Sequence, residues 1–268
     1  MGLGDLILEK STVIGVTLGI LAVTVGMVLK GASLSVLLNP AAFMIIIVGT
    51  AACLFNGFPM ENLKRFPSLI KQLFRQKQMM TKAELVPLFV GLSQTARREG
   101  ILALESRVDE ISDPFLRNGL TMVIDGLDPD FVGDVLDAEI HNMEERHRNG
   151  ALIFSQAGTY APTLGVLGAV VGLIGALGNL NDIEKLGHSI AAAFVATLLG
   201  IFTGYVIWHP FANKLKIISK KEAELMRMMI EGVLSLQAGD SPTAIEAKLI
   251  AFIPQHERTD LKPKTEES

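Results

Sequence analysis

Residues 156–177 read QAGTYAPTLGVLGAVVGLIGAL, and this stretch decides the fold. It lies in an apolar run from Ala151 to Leu177 that contains no charged side chain and is long enough to cross a lipid bilayer. Three other runs have the same character, and they are Val13 to Leu29, Pro40 to Phe58 and Ile190 to Trp208. The sequence therefore predicts an all-α membrane protein with four transmembrane helices in two hairpins.

The composition supports lipid as the environment of these runs. Of the 268 residues, 49% are hydrophobic but only 6% are aromatic, so the apolar content is mainly aliphatic. The formal net charge of −4 gives no basic excess for a nucleic-acid backbone. Cys53 is the only cysteine, which excludes a disulfide framework and a cysteine metal site within the chain. We expect no metal, no cofactor and no nucleic-acid partner.

Positive charge near the span ends predicts the orientation. Lysine and arginine follow the second and fourth spans, at Lys64, Arg65, Lys71, Arg75, Lys77, Lys82, Lys214, Lys216, Lys220 and Lys221. The connections 31–39 and 178–187 hold almost no positive charge, so they are predicted to lie outside. Both termini are then cytoplasmic, in a multi-pass protein of the inner membrane. The leader before the first span has no convincing cleavage site, so we expect that span to be retained.

The spans divide the chain into four segments: a membrane hairpin over 1–58, a cytoplasmic module over 59–150, a second membrane hairpin over 151–212 and a cytoplasmic tail over 213–268. The module is predicted to be helical, with no competing strand pattern. Helix starts are indicated by the capping-box spacing of Thr81 and Glu84, and by an Asp or Ser directly before a proline at Asp113, Asp128 and Ser241. The charged end after Gln255 is expected to be disordered.

The four apolar runs contain no Asp, Glu, Lys or Arg. A proton carrier needs a titratable group at membrane depth. If this chain handles ions, either a partner supplies the acid or backbone and hydroxyl groups alone bind the ion. A transporter that acts alone is therefore disfavoured.

Small residues form a seam along one face of the third span, at Gly158, Ala161, Gly165, Gly168, Gly172 and Gly175. The fourth span repeats the pattern at Ala192, Ala196, Gly200 and Gly204. Such faces let another helix approach closely. The seams could serve contacts between copies or the packing of the chain's own bundle, and both can hold in an oligomer.

Pro162 interrupts the third span, because it cannot donate to the carbonyl of Gly158. A free carbonyl at membrane depth is a possible ligand for an ion or water. Thr159 and Tyr160 lie beside it, and Thr197 of the fourth span could face the same space, although such hydroxyls often bond back to their own helix. His188 and His209 stand at span ends, where wetted imidazoles and proton relays are both possible.

Two segments of the membrane spans, QAGTYAPTLGVLGAVVGLIGAL and AAAFVATLLGIFTGY at 191–205, resemble the membrane pair of the MotA, TolQ and ExbB group. The four-span layout, the loop ARREGILALE at 96–105 and the tail from EGVLSLQAGDSP at 231–242 are similar specifically to MotA-type stator subunits. TolQ and ExbB types have three spans. The resemblance covers the chain except its last dozen residues.

This resemblance implies a homo-oligomeric ring, expected to have five copies, around the membrane helices of two MotB-type subunits. Each of those subunits brings one essential aspartate, which would supply the missing acid. The matching positions put Thr159 and Thr197 on the ion path near that aspartate, beside Tyr160, with Pro162 as the hinge that responds to protonation.

The resemblance also implies a rotor interface. Arg97 and Glu105 match the charged pair that engages the rotor protein FliG, and Arg98 could replace Arg97 in that role. Pro242 matches a functional tail proline. Arg97 and Glu105 could instead be ordinary surface charges of a solvated helix. Pro242 could simply be the first residue of the tail helix.

We therefore expect a flagellar motor stator subunit that couples ion flow to torque for swimming. Protons are expected, because the span motifs look closest to proton-type members, and a sodium-driven stator stays open. The sequence also leaves open a TolQ- or ExbB-like energy transducer for the outer membrane and a membrane scaffold without ion flow. An enzyme is not expected, because no nucleophile elbow, phosphate loop or HExxH motif occurs.

Overall fold

The structure, a computed structural model, describes residues 6–77, 80–178 and 180–258. In this part of the chain the regular elements are helices and one pair of short strands. The strands are β1 (Leu6–Leu8) and β2 (Arg75–Lys77). The α-helices are α1 (Lys10–Leu29), α2 (Pro40–Phe43), α3 (Gly49–Gly57), α4 (Met60–Leu63), α5 (Phe66–Phe74), α6 (Lys82–Glu99), α7 (Glu105–Val108), α8 (Pro114–Ile124), α9 (Pro129–Leu177), α10 (Ile183–Phe202), α11 (His209–Gln237) and α12 (Pro242–Ile250).

Four segments of other helix types connect these α-helices. The 3₁₀ turns are Leu34–Leu37 and Ile101–Leu104, and the two π segments are Met44–Val48 and Thr203–Trp208. Each π segment joins two α-helices into a longer helix. Helices long and apolar enough to cross a membrane are Lys10–Leu29, Leu34–Gly57, Pro129–Leu177 and Ile183–Gln237. The predicted fold class, with its four apolar spans, is confirmed.

The predicted helix starts are also confirmed. The hydroxyl of Thr81 accepts from the backbone N–H of Glu84 at 3.2 Å, and the carboxylate of Glu84 accepts from the N–H of Thr81 at 2.7 Å. The hydrogen bonds that the backbone N–H and the hydroxyl of Thr81 donate to the Glu84 carboxylate lower the pKa of that carboxyl group. Asp113 caps α8, Asp128 caps α9 and Ser241 caps α12 in the same way, each through its side-chain oxygen.

The chain divides into two compact units, and each is described by itself. The membrane unit comprises Met1–Gln78 and His147–Ile217, and the helical unit comprises Met79–Arg146 and Ile218–Ser268. The four apolar runs all lie in the membrane unit. The capped helices α6, α8 and α12 lie in the helical unit.

An aromatic cluster forms one core of the membrane unit. The rings of Phe66 and Phe154 stack with centroids 4.9 Å apart, and Trp208 lies 6.1 Å from Phe154. Leu73 is fully buried against the same cluster, so the apolar face of α5 packs against α9 and α11. The strong amphipathic pattern of α5 is thus explained by packing inside the unit.

The strand pair corrects one expectation. β1 pairs antiparallel with β2, with Leu6 opposite Lys77 and Leu8 opposite Arg75. The segment 59–150 was expected to be wholly helical, and residues 75–77 are extended instead. The cause is the pairing with residues almost seventy positions away, which no local pattern in the module reveals.

A polar cluster ties three elements together beside this strand pair. The ammonium group of Lys214 lies 2.9 Å from a carboxylate oxygen of Glu9, and it donates to the hydroxyls of Ser11 and Thr12 at 2.6 Å each. Thr12 is buried, and its hydroxyl donates to the carbonyl of Leu73 at 2.8 Å. α11, the start of α1 and the end of α5 are thereby fixed to one another.

The helical unit has its own core, with fully buried side chains from α6, α8, α9, α11 and α12. These include Leu85, Phe89, Leu116, Leu120, Leu136, Met228 and Leu249. The main packing partner of α6 is α12. Residues 259–268 lie outside the described residues, and the predicted disordered end falls mostly there.

Replacing Lys214 with Met should lower the stability of the membrane unit. The change leaves Glu9, whose side chain is only 26% exposed, without this cation, and we expect a loss of about 1–3 kcal/mol. The midpoint of thermal unfolding of the purified protein in detergent measures the effect. Lys216→Met, an exposed position on the same helix, is the matched control and should leave the midpoint unchanged. Equal midpoints for both variants would show that the cluster contributes no stability.

Candidate functional site

The third and fourth spans, in α9 and α10, touch through their backbones. A Cβ added to Gly165 would lie 2.9 Å from the carbonyl oxygen of Ala196 and 3.0 Å from the Cα of Gly200. A Cβ added to Gly200 would lie 2.7 Å from the carbonyl oxygen of Ala161. Real Cβ atoms are almost never found that close to such atoms, so only glycine fits at either position.

The same seam continues along both helices. A Cβ on Gly168 or on Gly172 would lie 3.0 Å from the side chain of Ala196 or Ala193, respectively. Nothing lies within 4 Å of the corresponding position on Gly175. The seam from Gly165 to Gly172 therefore packs the bundle of this chain, which is one of the two roles that the spacing of these residues allowed.

Pro162 lies at the tightest contact between the two spans. A Cβ on Gly204 would lie 2.6 Å from the Pro162 ring and 2.9 Å from the carbonyl oxygen of Gly158. That carbonyl has no helical donor, because Pro162 lacks a backbone N–H. Gly204 belongs to the second π segment, and its own carbonyl accepts from the backbone N–H of His209, five residues on. The interrupted stretch of α9 thus faces an irregular stretch of the fourth span.

The side chain of His209 covers Gly158. A Cβ on Gly158 would lie 2.8–2.9 Å from three ring carbons of His209. The ring of Tyr205 has its centroid 5.4 Å from that of His209. The imidazole is half-buried. The sequence alone left open whether this ring, at the end of a span, is solvated or relays protons.

The predicted hydroxyls do not share one space. Thr159 is exposed and donates to the carbonyl of Ser155 at 3.1 Å, and Thr197 is half-buried and donates to the carbonyl of Ala193 at 3.4 Å. Both hydroxyls therefore bond back to their own helices. Tyr160 packs against the second span instead, beside Leu54. The structure brings Pro162 together with the seam, and Thr197 borders that seam through its Cα, 3.4 Å from the Cβ position of Gly165.

An exposed stripe runs along α9 from Thr159. Its members follow a spacing of three or four residues, and they are Thr159, Thr163, Val166, Val170, Leu173 and Leu177. The hydroxyl of Thr163 donates to the carbonyl of Tyr160 at 2.7 Å. Thr163 was missed at the sequence level, although its place four residues after Thr159 puts both hydroxyls on one face. The stripe presents two hydroxyls at one end of an apolar face.

The predicted rotor residues lie on the surface of the helical unit. Arg97 and Arg98 are exposed in the last turn of α6, and Glu105 is exposed at the start of α7. Gly100 stands between them with φ +88°, a conformation that favours glycine. Within the described residues, none of the three charged side chains forms an ion pair, so their charges are available to a partner.

The turn before Pro242 packs against the helix that carries Arg97. The hydroxyl of Ser93 on α6 donates to the carbonyl of Asp240 at 3.1 Å, and Pro242 is the first residue of α12. Lys248 lies 2.9 Å from Asp240 and 3.1 Å from Glu231. The hydrogen bond from Lys248 lowers the pKa of Asp240, and the same bond raises the pKa of Lys248. The structure thus supports a positioning role for this turn.

No group of three or more His, Cys, Asp or Glu side chains that could hold a metal ion occurs in the described ranges.

Comparisons with known proteins point in one direction. The profile of the MotA/TolQ/ExbB proton channel family matches residues 107–228, and that of the motility protein A N-terminal region matches residues 13–100. The chain is 53% identical to motility protein A of Bacillus subtilis, over 94% of this chain and 93% of that protein. It is similar to the solved flagellar MotAB stator complex from Bacillus subtilis, with 52% identity, a TM-score of 0.90 and coverage of 94% and 100%. It is also similar to the solved C. jejuni MotAB, with 29% identity, a TM-score of 0.87 and coverage of 92% and 96%.

Replacing Gly204 with Ala should separate the third and fourth spans. The new methyl group would overlap the Pro162 ring and the Gly158 carbonyl, and overpacking of this kind costs roughly 1–3 kcal/mol. We expect a smaller yield of intact protein in size-exclusion chromatography after detergent extraction. Gly187→Ala is the control, because nothing lies within 4 Å of that Cβ position on α10. A normal yield for the Gly204 variant would contradict the close contact.

Proposed function

Because the chain belongs to the MotA/TolQ/ExbB proton channel family and is a stator subunit of the motility protein A type, we propose that it couples inward proton flow to torque on the flagellar rotor. Coupling to an ion follows from the family. The choice of protons over sodium ions is part of the proposal, and it rests on the span motifs. The relatives are stator or channel proteins, not known enzymes.

The chain works with a MotB-type partner and as an oligomer, since its solved relatives are MotAB complexes. We propose that five copies form a ring around the partner helices. The exposed stripe from Thr159 to Leu177 fits this arrangement, because it is a long apolar face that the chain's own helices leave uncovered.

One observation carries the proton path. The membrane spans contain no carboxylate, yet a helix with two exposed hydroxyls, Thr159 and Thr163, stands beside the Pro162 interruption. A partner helix that brings a carboxyl group to this face would complete an ion site that the chain lacks. Protonation of that carboxyl removes its charge and so changes the free energy of holding it against an apolar face.

Pro162 is the proposed hinge of this step. Its ring contacts Gly204, and the Gly158 carbonyl that it frees lies at the same contact. Thr197 borders the seam about two helical turns before Gly204 along the fourth span, so it is the proposed ion-path residue of that span. Tyr160 packs toward the second span, and we assign it a supporting role rather than contact with the ion.

The rotor contact is proposed for the charged surface of the helical unit. Arg97, Arg98 and Glu105 are exposed, and within the described part of the chain they have no ion-pair partners. A rotor protein with charges of opposite sign, which we identify with FliG, would be steered to this surface. Pro242 would act through the turn at Asp240, whose carbonyl accepts a hydrogen bond from the hydroxyl of Ser93 on α6.

We further propose that the membrane is the inner membrane and that both termini face the cytoplasm. The lysine and arginine residues that follow the second and fourth spans support this orientation. Exposed apolar side chains on α1, such as Leu18, Leu21 and Val25, are suited to contact with lipid.

Deletion of the gene in its host should leave flagellar filaments intact but unable to rotate. A plasmid with the wild-type chain should restore swimming, whereas Thr197→Val should restore complex assembly but not rotation, because the hydroxyl is lost. Swimming speed, filament counts and co-purification with the partner subunit measure these outcomes. Thr24→Val is the control, since its hydroxyl likewise bonds to its own helix but belongs to the first span. Normal swimming of the deletion strain would contradict the stator role.

Reversal of charge at the rotor surface should stop rotation without affecting ion flow. Arg97→Glu replaces a positive charge by a negative one, which would face a negative charge on the rotor. Like charges at an interface cost on the order of several kcal/mol. Torque on a tethered bead measures the effect. Comparison of Arg97→Glu with Arg98→Glu shows which arginine matters, and a double variant carries both changes. Arg146→Glu, on another exposed part of the helical unit, should leave torque unchanged. Equal torque for the double variant and wild type would rule out this surface.

A further inference from the structure

The imidazole of His209 lies directly over Gly158 at the end of the fourth span. Three of its ring carbons approach the Cα of Gly158 so closely that a Cβ there would lie 2.8–2.9 Å from each of them. Near-equal distances to carbons on opposite sides of the ring mean that the ring face covers Gly158. Both ring nitrogens then point sideways, because their N–H bond and lone pair lie in the plane of the ring.

The ring nitrogens have no hydrogen-bond partner within the described residues, and the side chain is half-buried. This differs from the hydroxyls of Thr159, Thr163 and Thr197, which all bond to carbonyls of their own helices. An imidazole whose two nitrogens have no partner within the described residues can accept a proton at one nitrogen and release one from the other.

The second π segment creates this placement. The N–H of His209 bonds to the carbonyl of Gly204, five residues earlier, instead of to Tyr205. The extra residue in this turn rotates everything after it by about 100° relative to a continuous α-helix. In the observed arrangement, His209 lies against α9 beside the Pro162 interruption.

Charged residues are absent from long stretches of the two spans that meet at the ring. On the third span no Asp, Glu, Lys or Arg occurs between Arg148 and Leu177, and on the fourth span none occurs between Lys185 and Lys214. Lys214 is itself held by Glu9. Tyr205 is the titratable neighbour in ring contact, with 5.4 Å between centroids. His209 is thus a side chain in contact with Gly158 that can both accept and donate a proton.

We propose that His209 is the proton acceptor at the cytoplasmic end of the ion path. This rests on the proposed function, since the partner's carboxyl group is the source of the proton. The carboxylic acid loses its proton through water to one nitrogen of the neutral imidazole, which becomes an imidazolium. The other nitrogen then releases a proton to cytoplasmic water, and the neutral ring is restored.

Two substitutions separate proton transfer from packing. His209→Phe keeps a flat ring over Gly158 but cannot carry a proton, and His209→Gln keeps polarity without titration. Both complexes should assemble with the partner in normal yield, while tethered motors turn slower by roughly tenfold or more, because general acid–base transfer is lost. His141→Gln, at an exposed position of the helical unit, is the control and should turn at wild-type speed.

The pH dependence of motor speed gives the second measurement. Acidifying the cytoplasm with a weak acid opposes the release of a proton from the acceptor, so it should slow the wild type and the His141 control. The two His209 variants should be slow throughout and respond much less. A His209→Phe motor with wild-type speed and wild-type pH response would overturn the proposal and leave only packing. If wild-type motors turned on a sodium gradient alone, the proton path would fall together with this role, whereas the stator assignment would stand.

Discussion

The close approach of the third and fourth spans is the constraint on which the membrane unit depends. Gly165, Gly200 and Gly204 each meet backbone or ring atoms at distances that exclude a Cβ. Lipid gives no hydrophobic force to hold two apolar helices together, so close packing must do so. The contact also determines which faces remain outside, because the seam turns the stripe from Thr159 to Leu177 away from the fourth span.

The same contact leaves room for the Pro162 ring. A proline inside a helix frees a carbonyl, and in lipid such a group is costly unless a hydrogen-bond donor satisfies it. Here the Gly158 carbonyl lies against Gly204, and His209 covers the other side of Gly158. The interruption is thus enclosed by glycine and a polar ring. A larger residue at 204 would leave no room for either the proline ring or the carbonyl.

Local chemistry made much of the fold predictable. The four spans follow from apolar length alone, and the starts of α6, α8, α9 and α12 follow from Ser, Thr or Asp caps. The glycine seam was visible as a spacing, although spacing could not distinguish contact within the chain from contact between copies. The strand pair was not predictable, because β2 has no pattern of its own and depends on residues 6–8.

The site was less predictable, for two physical reasons. A π segment adds one residue to a turn, so a count of helical positions misplaces everything after Gly204, His209 included. Side-chain direction was the second reason, because Thr159 and Tyr160 are neighbours in sequence but lie on different faces of α9. The rotor residues Arg97 and Glu105 were found only through resemblance, since nothing in their spacing marks them as more than surface charges.

The absence of any acid from the four spans has a consequence for the order of synthesis. A subunit whose spans hold no carboxylate lacks the titratable acid that a proton carrier needs at membrane depth. On the proposed ion path, the cell can therefore produce this chain before, or in excess of, its partner without dissipating the ion gradient. On that path, conduction begins only when the two components assemble, and the subunit alone needs no separate inhibitor.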